Sequence, residues 1–559
     1  MVRILSLSLL VAAGLFALSC GSSDETAADP NCSNNSCSAC ASCYDLCVCA
    51  TGNIQQCFPA CGISNTGGTS GGGGAPSGGG APSGGGAPSG GTGGTLPSGG
   101  LAKGLAISGI DLYQGVKLPL MKDWGEPPRN APVVVDREGV VRVFVTPEAG
   151  YQAREIVARL ELAGGTTASF DGKAFIGGAS NEADTNSTIQ VSIPPGSIKA
   201  GSTYTLSLLE ASAGGNFTGS TDKAKFGAVN LGAQSSGTFT VMLVPMVTAG
   251  ITPKSGPAEV QIYRDALFKM YPVGEIKVEV RAPATYPGSA PQRTGSGWSQ
   301  ALSWLMQLRS ADKPPAQTYY YGLITPGQSF MGWCQGACVA GLSTTPQAND
   351  PTGRAGMGLG YFPNDGNSGS PDTMNHEVGH TLGLLHAPCG QGGAMPQNID
   401  PAYPYAGASI GTPGWNVLTK TFLDPAKYKD IMAYCDPNWV ADWTFNKMFK
   451  RISYVNGAGA LMVSKDAMRA PGKFRTAILG GDGTLEWGSD IDSPWPVLSA
   501  ERTLEILDAS GSVIGTVKSF ATSVGHDSET QFLLMRDGVA WPAGATSIRP
   551  MGSSLTLAL

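Results

Sequence analysis

The chain has 559 residues, of which 42% are hydrophobic and 14% charged, and its formal net charge is −6. This length exceeds that of a single domain and predicts about three or four domains. The acidic balance, without a basic stretch, argues against nucleic acid as a partner. The low charged fraction and the 79 glycines are typical of an exported, loop-rich protein built largely from β-strands.

The N-terminus has the pattern of a signal peptide, with Arg3 followed by an apolar stretch and small residues before Cys20. We expect Met1–Ser19 to be removed on export. A bacterial lipobox, in which the cysteine receives a lipid, is similar to the sequence Ala17-Leu18-Ser19-Cys20. This predicts a lipid-anchor region at 20–30 and a protein that is either held at the bacterial cell surface or outer membrane or secreted. Ordinary cleavage nearby is the alternative to lipidation.

Cysteines are the next signal along the chain. Apart from Cys20, eight of the 13 cysteines lie in the segment 31–63, and the other four are Cys334, Cys338, Cys389 and Cys435. Both groups are even in number, which predicts disulfide bonds in an exported protein. The pairing of the eight does not follow from the sequence. A metal cluster at Cys37-x-x-Cys40-x-x-Cys43 is the alternative for that segment.

A linker and a β-rich region follow. The segment 64–100 consists almost entirely of Gly, Ser, Pro and Thr, which predicts a flexible linker. The region 101–237 has short apolar runs separated by turn residues, and this pattern predicts a β-sandwich. We interpret it as a structural spacer; a substrate-binding module and an inhibitory prodomain remain alternatives. Its clearest strands are Val140–Val145, Ile156–Leu162 and Tyr204–Leu209.

The region 238–452 alternates strand and helix patterns, beginning with a β-α-β unit. Its predicted strands are Thr238–Val244, Ile276–Val280 and Tyr319–Ile324, and its predicted helices are Pro257–Tyr271, Trp298–Leu308 and Pro437–Arg451. A glycine-rich segment, Gly356–Tyr361, lies between the second and third helices. The aromatic residues of the third helix are expected to belong to the core.

The chemistry of the chain is concentrated in one histidine motif. Residues 376–386 read H-E-x-x-H-x-x-G-x-x-H and hold three of the four histidines. On a helix His376 and His380 lie on the same face, so both can bind one metal ion. The helix must end before the third ligand, His386, and Gly383 permits that turn. Three neutral imidazoles that leave one position open predict a catalytic zinc site.

The helix that carries this motif also has a start signal and a catalytic carboxylate. We expect Ser370 as the N-cap, Pro371 at the first helical position and Asp372 opposite the helix dipole. Glu377 stands beside the two helical ligands. It is placed to take a proton from a zinc-activated water as general base, and to return it as general acid.

With these residues the chain resembles the metzincin clan of zinc endopeptidases. The resemblance implies a methionine turn beneath the zinc, for which the candidate is Met432 in Asp430-Ile431-Met432-Ala433-Tyr434-Cys435. It also implies a role for Tyr434 at the zinc or the transition-state oxyanion, with simple packing as the alternative. Ala387, after the third histidine, matches none of the familiar branches, so the branch stays open. The order of elements further implies that Gly356–Tyr361 lies near an edge strand that pairs with extended substrate.

Two disulfide pairs are predicted in this region. Cys389 follows His386 by three residues and Cys435 follows Met432 by three, so a bond between them would join the third-ligand loop to the methionine turn. In the chain-entropy model such a loop contributes about 4 kcal/mol to stability. By default, Cys334 then pairs with Cys338.

The region 453–559 returns to short strands and predicts a second β-sandwich. The expected strands are Leu461–Val463, Arg502–Leu507 and Val513–Val517. His526 lies in a polar stretch, and we predict a surface position for it rather than a ligand role. Calcium is a possible second cofactor at Asp482, Asp490 and Asp492, but solvated turns are the preferred interpretation.

These observations together predict a multidomain chain, with an α/β (α+β) metzincin-like zinc protease domain between two all-β sandwich-like domains. The predicted function is zinc-dependent endopeptidase activity on extracellular protein or glycoprotein substrates. The domain layout is similar to that of bacterial mucin-cleaving metalloproteases, which is the reason for including glycoproteins. The alternative is a non-catalytic adhesin or glycan-binding protein with a vestigial protease domain.

Overall fold

The computed structural model describes residues 99–164, 167–362, 369–390, 395–457, 466–526 and 529–559. These residues belong to one structural unit, Ser89–Leu559. The predictions for the signal peptide, lipidated Cys20, the cysteines of 31–63, nearly all of the linker and the strand Leu461–Val463 lie outside the described residues. Within the described ranges, no helix is both long enough and apolar enough to cross a membrane.

Two four-stranded antiparallel sheets form the first part of the described chain. Their strands are β1 (Leu105–Tyr113), β2 (Lys117–Lys122), β3 (Gly139–Pro147), β4 (Arg154–Ala163), β5 (Ala168–Ile176), β6 (Ile189–Ile193), β7 (Thr203–Glu210) and β8 (Lys225–Asn230). One sheet has the order β2-β1-β3-β6 and the other β5-β4-β7-β8. Apolar side chains of both sheets, such as Ile107 and Leu160, share one buried core. The region is therefore built from β-sheets, as its sequence pattern predicted.

The middle of the chain forms a mixed sheet covered by helices. Its strands are β9 (Phe239–Val247), β10 (Ile276–Val280), β11 (Ala284–Thr285), β12 (Tyr319–Ile324), β13 (Gly341–Thr345) and β14 (Ala355–Leu359). The helices are α1 (Pro257–Met270), α2 (Trp298–Asp312), α3 (Phe330–Cys334) and α4 (Ser370–Thr381). Strands β10, β9, β12 and β14 are parallel neighbours, and β13 runs antiparallel to β14. The predicted β-α-β unit is confirmed as β9, α1 and β10.

Both faces of this sheet are buried, which explains its apolar strands. All six residues of β12 are buried. Tyr319 and Tyr321 join the core that contains α1 and α4, whereas Tyr320 joins the core that contains α2. Successive side chains of a strand point to opposite faces, so helices must cover the sheet on both sides.

Smaller elements lie beyond α4. They are β15 (Gly414–Asn416), β16 (Thr421–Leu423), β17 (Lys429–Asp430), β18 (Asn438–Trp439) and α5 (Asp442–Asn456), with short 3₁₀ turns at Ala406–Ala408 and Ala467–Arg469. A further 3₁₀ turn, Thr185–Ser187, lies earlier in the chain, between β5 and β6. The start predicted for the last helix, Pro437, is wrong. Residues 438 and 439 pair in parallel with β17, so the helix begins only at Asp442. Its apolar residues Phe445, Met448 and Phe449 are buried, as predicted.

The N-terminal sheets pack against this middle region through a buried arginine. Arg137 is fully buried, and its guanidinium donates hydrogen bonds to the carbonyl oxygens of Gln114 at 3.0 Å, Val273 at 3.0 Å and Phe268 at 2.7 Å. Trp439 Nε1 donates to the carbonyl oxygen of Gly115 at 2.8 Å. Backbone oxygens therefore satisfy a guanidinium that burial would otherwise penalise.

The last part of the chain forms one antiparallel sheet that continues the sheet of the middle region. Its strands are β19 (Gly472–Leu479), β20 (Leu485–Trp487), β21 (Ile491–Ser493), β22 (Ala500–Leu507), β23 (Val513–Val524), β24 (Gln531–Arg536), β25 (Ser547–Pro550) and β26 (Leu557–Ala558). The order is β26-β25-β22-β23-β24-β19, and β19 also pairs with β20 and β21. The far end of β23 pairs with β13.

This region therefore differs from the separate sandwich that its pattern suggested. Its described strands are connected in a single sheet, and β23 extends to Val524 instead of ending near Val517. Alternation of apolar and polar residues indicates that a strand exists and which face is buried, but it does not specify the partner strand. The union with β13 is consequently a tertiary feature that the pattern could not reveal.

Candidate metal centre

Helix α4 positions the first half of the histidine motif. The helix begins at Ser370 with Gly369 as its N-cap, so Ser370 is the first helical residue and not the predicted N-cap. A shift of one residue at a helix end is common. Asp372 lies in the first turn, as predicted. The helix ends at Thr381, and Gly383 has a φ of 81°, the left-handed conformation expected at this turn.

The three motif histidines converge on one point. Nε2 of His380 lies 3.1 Å from Nε2 of His376 and 3.2 Å from Nε2 of His386. Each Nδ1 faces a backbone carbonyl oxygen: that of Ile431 at 2.9 Å, Leu384 at 2.8 Å and Gln397 at 2.5 Å, respectively for His376, His380 and His386. A carbonyl can only accept, so each Nδ1 carries the proton and each Nε2 presents a lone pair.

This donor set fits zinc. Lone pairs that face one another at such distances repel unless a cation lies between them. Two nitrogens bound at ~2.0–2.1 Å with tetrahedral geometry would be separated by about 3.3 Å, close to the observed spacing. Burial lowers the pKa of His376 to about 4 and that of His386 to about 3, and it lowers the pKa of His380 as well. The imidazoles are therefore neutral near pH 7, which is the form that binds a metal.

The fourth histidine also reaches this site, and the predicted surface position for His526 is wrong. Its Nε2 lies 2.7 Å from Oε1 of Glu377, and its Nδ1 lies 2.6 Å from the hydroxyl oxygen of Tyr434. The side chain keeps 25% exposure and stands at the mouth of the site. Its position depends on the pairing of β23 with β13, which brings the residue after Gly525 to the metal ligands.

Glu377 is held by two donors. His526 donates to Oε1, and the hydroxyl of Ser343 donates to Oε2 at 2.6 Å. Burial by itself would raise the pKa of Glu377, but His526 and the other donors outweigh it and lower that pKa below its usual value. In turn, Glu377 raises the pKa of His526 against the opposing effect of burial. Glu377 is thus an ionised acceptor beside the three Nε2 atoms.

The predicted methionine turn lies beneath the ligands. Met432 is 1% exposed, and its carbonyl oxygen accepts the N–H of Ala387 at 3.0 Å. The ring of Tyr434 lies 4.8 Å from that of His386. Burial raises the pKa of the Tyr434 phenol, so its hydroxyl remains protonated. The structure therefore brings both residues to the site, as the resemblance implied.

Two disulfides secure the surroundings of the site. Cys389 is bonded to Cys435, which joins the segment after His386 to the methionine turn. Cys334 is bonded to Cys338 in the loop before β13. Both pairs are those predicted. The glycine-rich segment forms β14, one strand in from β13, so it lies next to the antiparallel strand and not at the edge itself.

A cavity of about 770 Å³ opens beside the ligands. One wall is the loop from Cys338 to Gly341, the floor is the first half of α4, and the opposite wall includes Ala433, Tyr434 and Asn438. None of the described residues that line it belongs to the region 101–237. Among the described residues, the carboxylates and the thiol-derived sulfur in the lining come from the middle region, at Asp372, Glu377, Asp436 and Cys338.

The candidate calcium ligands are not assembled. Among the described residues, the group of His, Cys, Asp and Glu side chains close enough to share an ion consists of His376, His380, His386 and His526. Asp482 instead accepts the N–H and the hydroxyl of Thr484 within its own turn.

The geometry defines a candidate zinc site, and similarity to known proteins adds little to it. No known family model and no curated protein matches the chain. A solved structure to which it is weakly similar is that of metalloproteinase-II from Bacteroides fragilis, at 14% sequence identity and a TM-score of 0.19. The match covers 47% of this chain and 77% of that one. With values this low, the assignment of the site depends on the histidine geometry alone.

Proposed function

We propose that the protein is a zinc-dependent endopeptidase of the metzincin type, acting on extracellular protein or glycoprotein substrates. One observation carries the proposal. Three Nε2 lone pairs converge at 3.1 and 3.2 Å, and the ionised Glu377 stands beside them at the head of an open cavity. Ligands, base and substrate space are the parts that metal-assisted hydrolysis requires.

His376, His380 and His386 would hold the zinc ion. When bound, zinc supplies a Lewis acid that lowers the pKa of a water molecule and polarises a carbonyl group. The hydrogen bonds from each Nδ1 to a backbone carbonyl orient the rings and keep the Nε2 atoms unprotonated. Met432 forms the apolar floor below them.

Glu377 takes a proton from the attacking water and returns it to the leaving amine. Each carboxylate oxygen has two lone pairs, so the bonds from Ser343 and His526 leave acceptor capacity on both oxygens. Those two donors also keep the carboxylate in one orientation. Less conformational freedom of the side chain is therefore lost when the reactive geometry forms. We assign Tyr434 to the oxyanion, because its phenol stays protonated beside His386. Its proton is available for that role when His526 is protonated on both ring nitrogens, so that Nδ1 of His526 donates to the phenol oxygen.

The proposed setting is outside the cytoplasm. Two disulfides in the described chain are compatible with an oxidising, extracellular environment. Attachment to the cell surface through a lipid on Cys20 is part of the proposal, since only the sequence supports it.

The test is a parallel measurement of zinc content and cleavage on soluble protein that starts after Cys20. A broad peptide and glycoprotein library is offered to wild type, Glu377→Gln and the matched control Glu279→Gln, which changes an exposed carboxylate on β10. We expect one zinc per chain in all three, and a loss of about 10²- to 10⁴-fold in cleavage for Glu377→Gln only. Unchanged cleavage in Glu377→Gln would defeat the assigned role. Zinc binding without Glu377-dependent cleavage would favour a binding protein.

A further inference from the structure

The edge of β13 that a substrate would use is partly filled by the C-terminal sheet. An extended peptide binds to a sheet by pairing with a free strand edge. One edge of β13 is paired with β14. On the other, Thr344 and Thr345 pair with β23, and the N–H of Gly525 donates to the carbonyl oxygen of Ser343 at 2.8 Å. From Ser343 to Thr345, therefore, the edge that faces away from β14 is not free.

The direction of β23 identifies which half of a substrate is displaced. Strand β13 runs away from Gly341, which lines the cavity. Because β23 is antiparallel to it, β23 runs towards the metal ligands and is followed there by Gly525 and His526. A peptide paired antiparallel with β13 would run the same way. Its residues N-terminal to the scissile bond would need the positions that Ser523–Gly525 hold.

The approach to the ligands is tight on this side. Gly525 packs so closely on the ring of His380 that a Cβ at position 525 would lie 2.4 Å from the ring Cγ. Immediately beyond it, the His526 side chain is bonded to Glu377. A second polypeptide strand cannot pass between β23 and the histidines.

This closure is a fixed part of the fold. Strand β23 is 12 residues long and pairs with both β22 and β24. Phe520 and Val524 of β23 are at most 1% exposed and share a core with Trp298 and Leu305 of α2. Exposing these apolar side chains to water is unfavourable, so β23 does not act as a movable lid.

The described residues leave the other half of the cleft open. The cavity of about 770 Å³ lies along the first half of α4, between Val339 and Ala340 on one side and Ala433 and Asn438 on the other. Its volume is within the range of sites that bind several side chains or a drug-sized ligand. A peptide that runs past the ligands enters this cavity with the residues that follow its scissile bond.

We propose that the cleft is one-sided: it holds a peptide substrate by the residues after the scissile bond, while the residues before that bond leave without pairing with β13. This inference rests on the proposed endopeptidase function. Affinity and cleavage-site preference then come from the cavity, and the C-terminal sheet determines that asymmetry.

The first test extends a cleaved library peptide one residue at a time in each direction. Lengthening by up to four residues after the cut should raise kcat/KM at least tenfold. Lengthening before the cut, beyond the first residue, should change it less than twofold. A tenfold gain from residues before the cut would overturn the inference.

The second test measures binding without turnover. Fluorescently labelled halves of the same peptide are titrated into zinc-loaded Glu377→Gln protein and followed by anisotropy. The half that follows the cut should bind at least tenfold more tightly than the half that precedes it. Equal affinities, or tighter binding of the preceding half, would contradict the one-sided cleft.

A third test narrows the cavity. Thr373 lines it on α4, and Thr373→Trp should change the preferred residues after the cut, with zinc content unchanged. Asn438→Trp makes the same test from the opposite wall if the first variant folds poorly. Thr419→Trp, at an exposed position outside the cavity lining, is the matched control and should preserve the wild-type preferences. Preferences that change only before the cut would reject the inference.

The outcomes distinguish a failure of the one-sided cleft from a failure of the proposed endopeptidase function. If no peptide is cut in a Glu377-dependent way under any condition, both fail together. If such cleavage appears only in protein nicked within residues 466–559, the endopeptidase function stands. The one-sided cleft is then wrong, because β23 would be an inhibitor.

Discussion

The two β-rich regions on either side of the histidine helix have similar sequence patterns but different relations to the metal centre. The first forms its own two sheets, shares a buried hydrophobic core with the middle region, and places no described residue in the cavity lining. The second shares both a sheet and a hydrophobic core with the middle region and brings His526 to the catalytic carboxylate.

The difference shows that a β-rich flank can be part of an active site without any sequence motif to announce it. A flank contributes residues to the site when one of its strands pairs with the free edge of the central sheet. The first flank meets the strands of the middle region only in an isolated bridge between Val116 and Gly414 among the described residues, whereas β23 continues beyond its own neighbours to β13.

The shared core should make the middle region and the C-terminal sheet unfold together. Phe520→Ala removes a fully buried ring from that core and should cost about 3–5 kcal/mol. Urea unfolding followed by tryptophan fluorescence and by zinc release should give coincident transitions at lower urea. The control Phe175→Ala, at a 64% exposed position of the first flank, should cost less than about 0.5 kcal/mol. An early transition that leaves zinc bound would break the comparison.

The Cys389–Cys435 disulfide, below the ligands, should contribute more to the free energy of unfolding than the Cys334–Cys338 disulfide, which lies before β13. In the chain-entropy model, removing Cys389–Cys435 by double serine replacement costs about 4 kcal/mol, against about 2 kcal/mol for Cys334–Cys338. The first double variant should also bind zinc more weakly, because it frees the segment after His386. Equilibrium unfolding and zinc competition with a chelator measure the two effects. Equal losses in the two double variants would contradict this ranking.

A change in the first flank should lower the stability of the protein without changing zinc binding or the cleavage rate. Arg137→Met leaves buried carbonyl oxygens of Gln114, Val273 and Phe268 without their donor, at a cost of about 2–3 kcal/mol in the free energy of unfolding. Zinc content and the cleavage rate of the folded protein should stay within twofold of wild type. Arg502→Met, at an exposed position, serves as the control. A large loss of activity at unchanged zinc content would show that this flank also shapes the site.

The ligand histidines should give the apoprotein a measurable pH dependence that can be traced to the metal centre, because the first flank has no histidine. Their pKa values lie below the ordinary ~6.5, at about 4 for His376 and about 3 for His386. Between pH 6.5 and these values the unfolded chain binds more protons than the folded one. Stability from these groups is therefore fully present above pH 6.5 and is lost as the pH falls.

The variant that isolates this effect is His380→Asn, because burial lowers the pKa of His380 as well. In the presence of a chelator, its free energy of unfolding between pH 6.5 and 5 should fall less steeply than that of wild type. The number of protons taken up on unfolding should differ by almost one between wild type and variant. This corresponds to almost a tenfold difference per pH unit in how the unfolding constant changes. Identical slopes would mean that His380 is not held neutral by the fold.

The central parts of the site could be predicted because they are local. The spacing of His376 and His380, the turn at Gly383 and the paired cysteines depend on residues close in sequence or on a recognisable motif. The β-α-β unit was also legible, because its strands are continuous apolar runs and its helix has a regular apolar face.

The remainder depended on contacts between residues far apart in the chain. His526 lies 149 residues after Glu377, and no periodicity near it indicates that Val524 will pair with Thr344. The helix expected from Pro437 starts late because Asn438 and Trp439 pair with β17 instead. In both cases, strand pairing overrode what the local pattern favoured.

The most direct test of the account is X-ray absorption at the zinc edge, on wild type and on His526→Phe. The account predicts one zinc per chain with three imidazole nitrogens near ~2.0 Å in both proteins, because Nε2 of His526 is committed to Glu377. Four imidazoles in wild type and three in His526→Phe would contradict it, since the site would then be closed by a fourth ligand and not poised for hydrolysis.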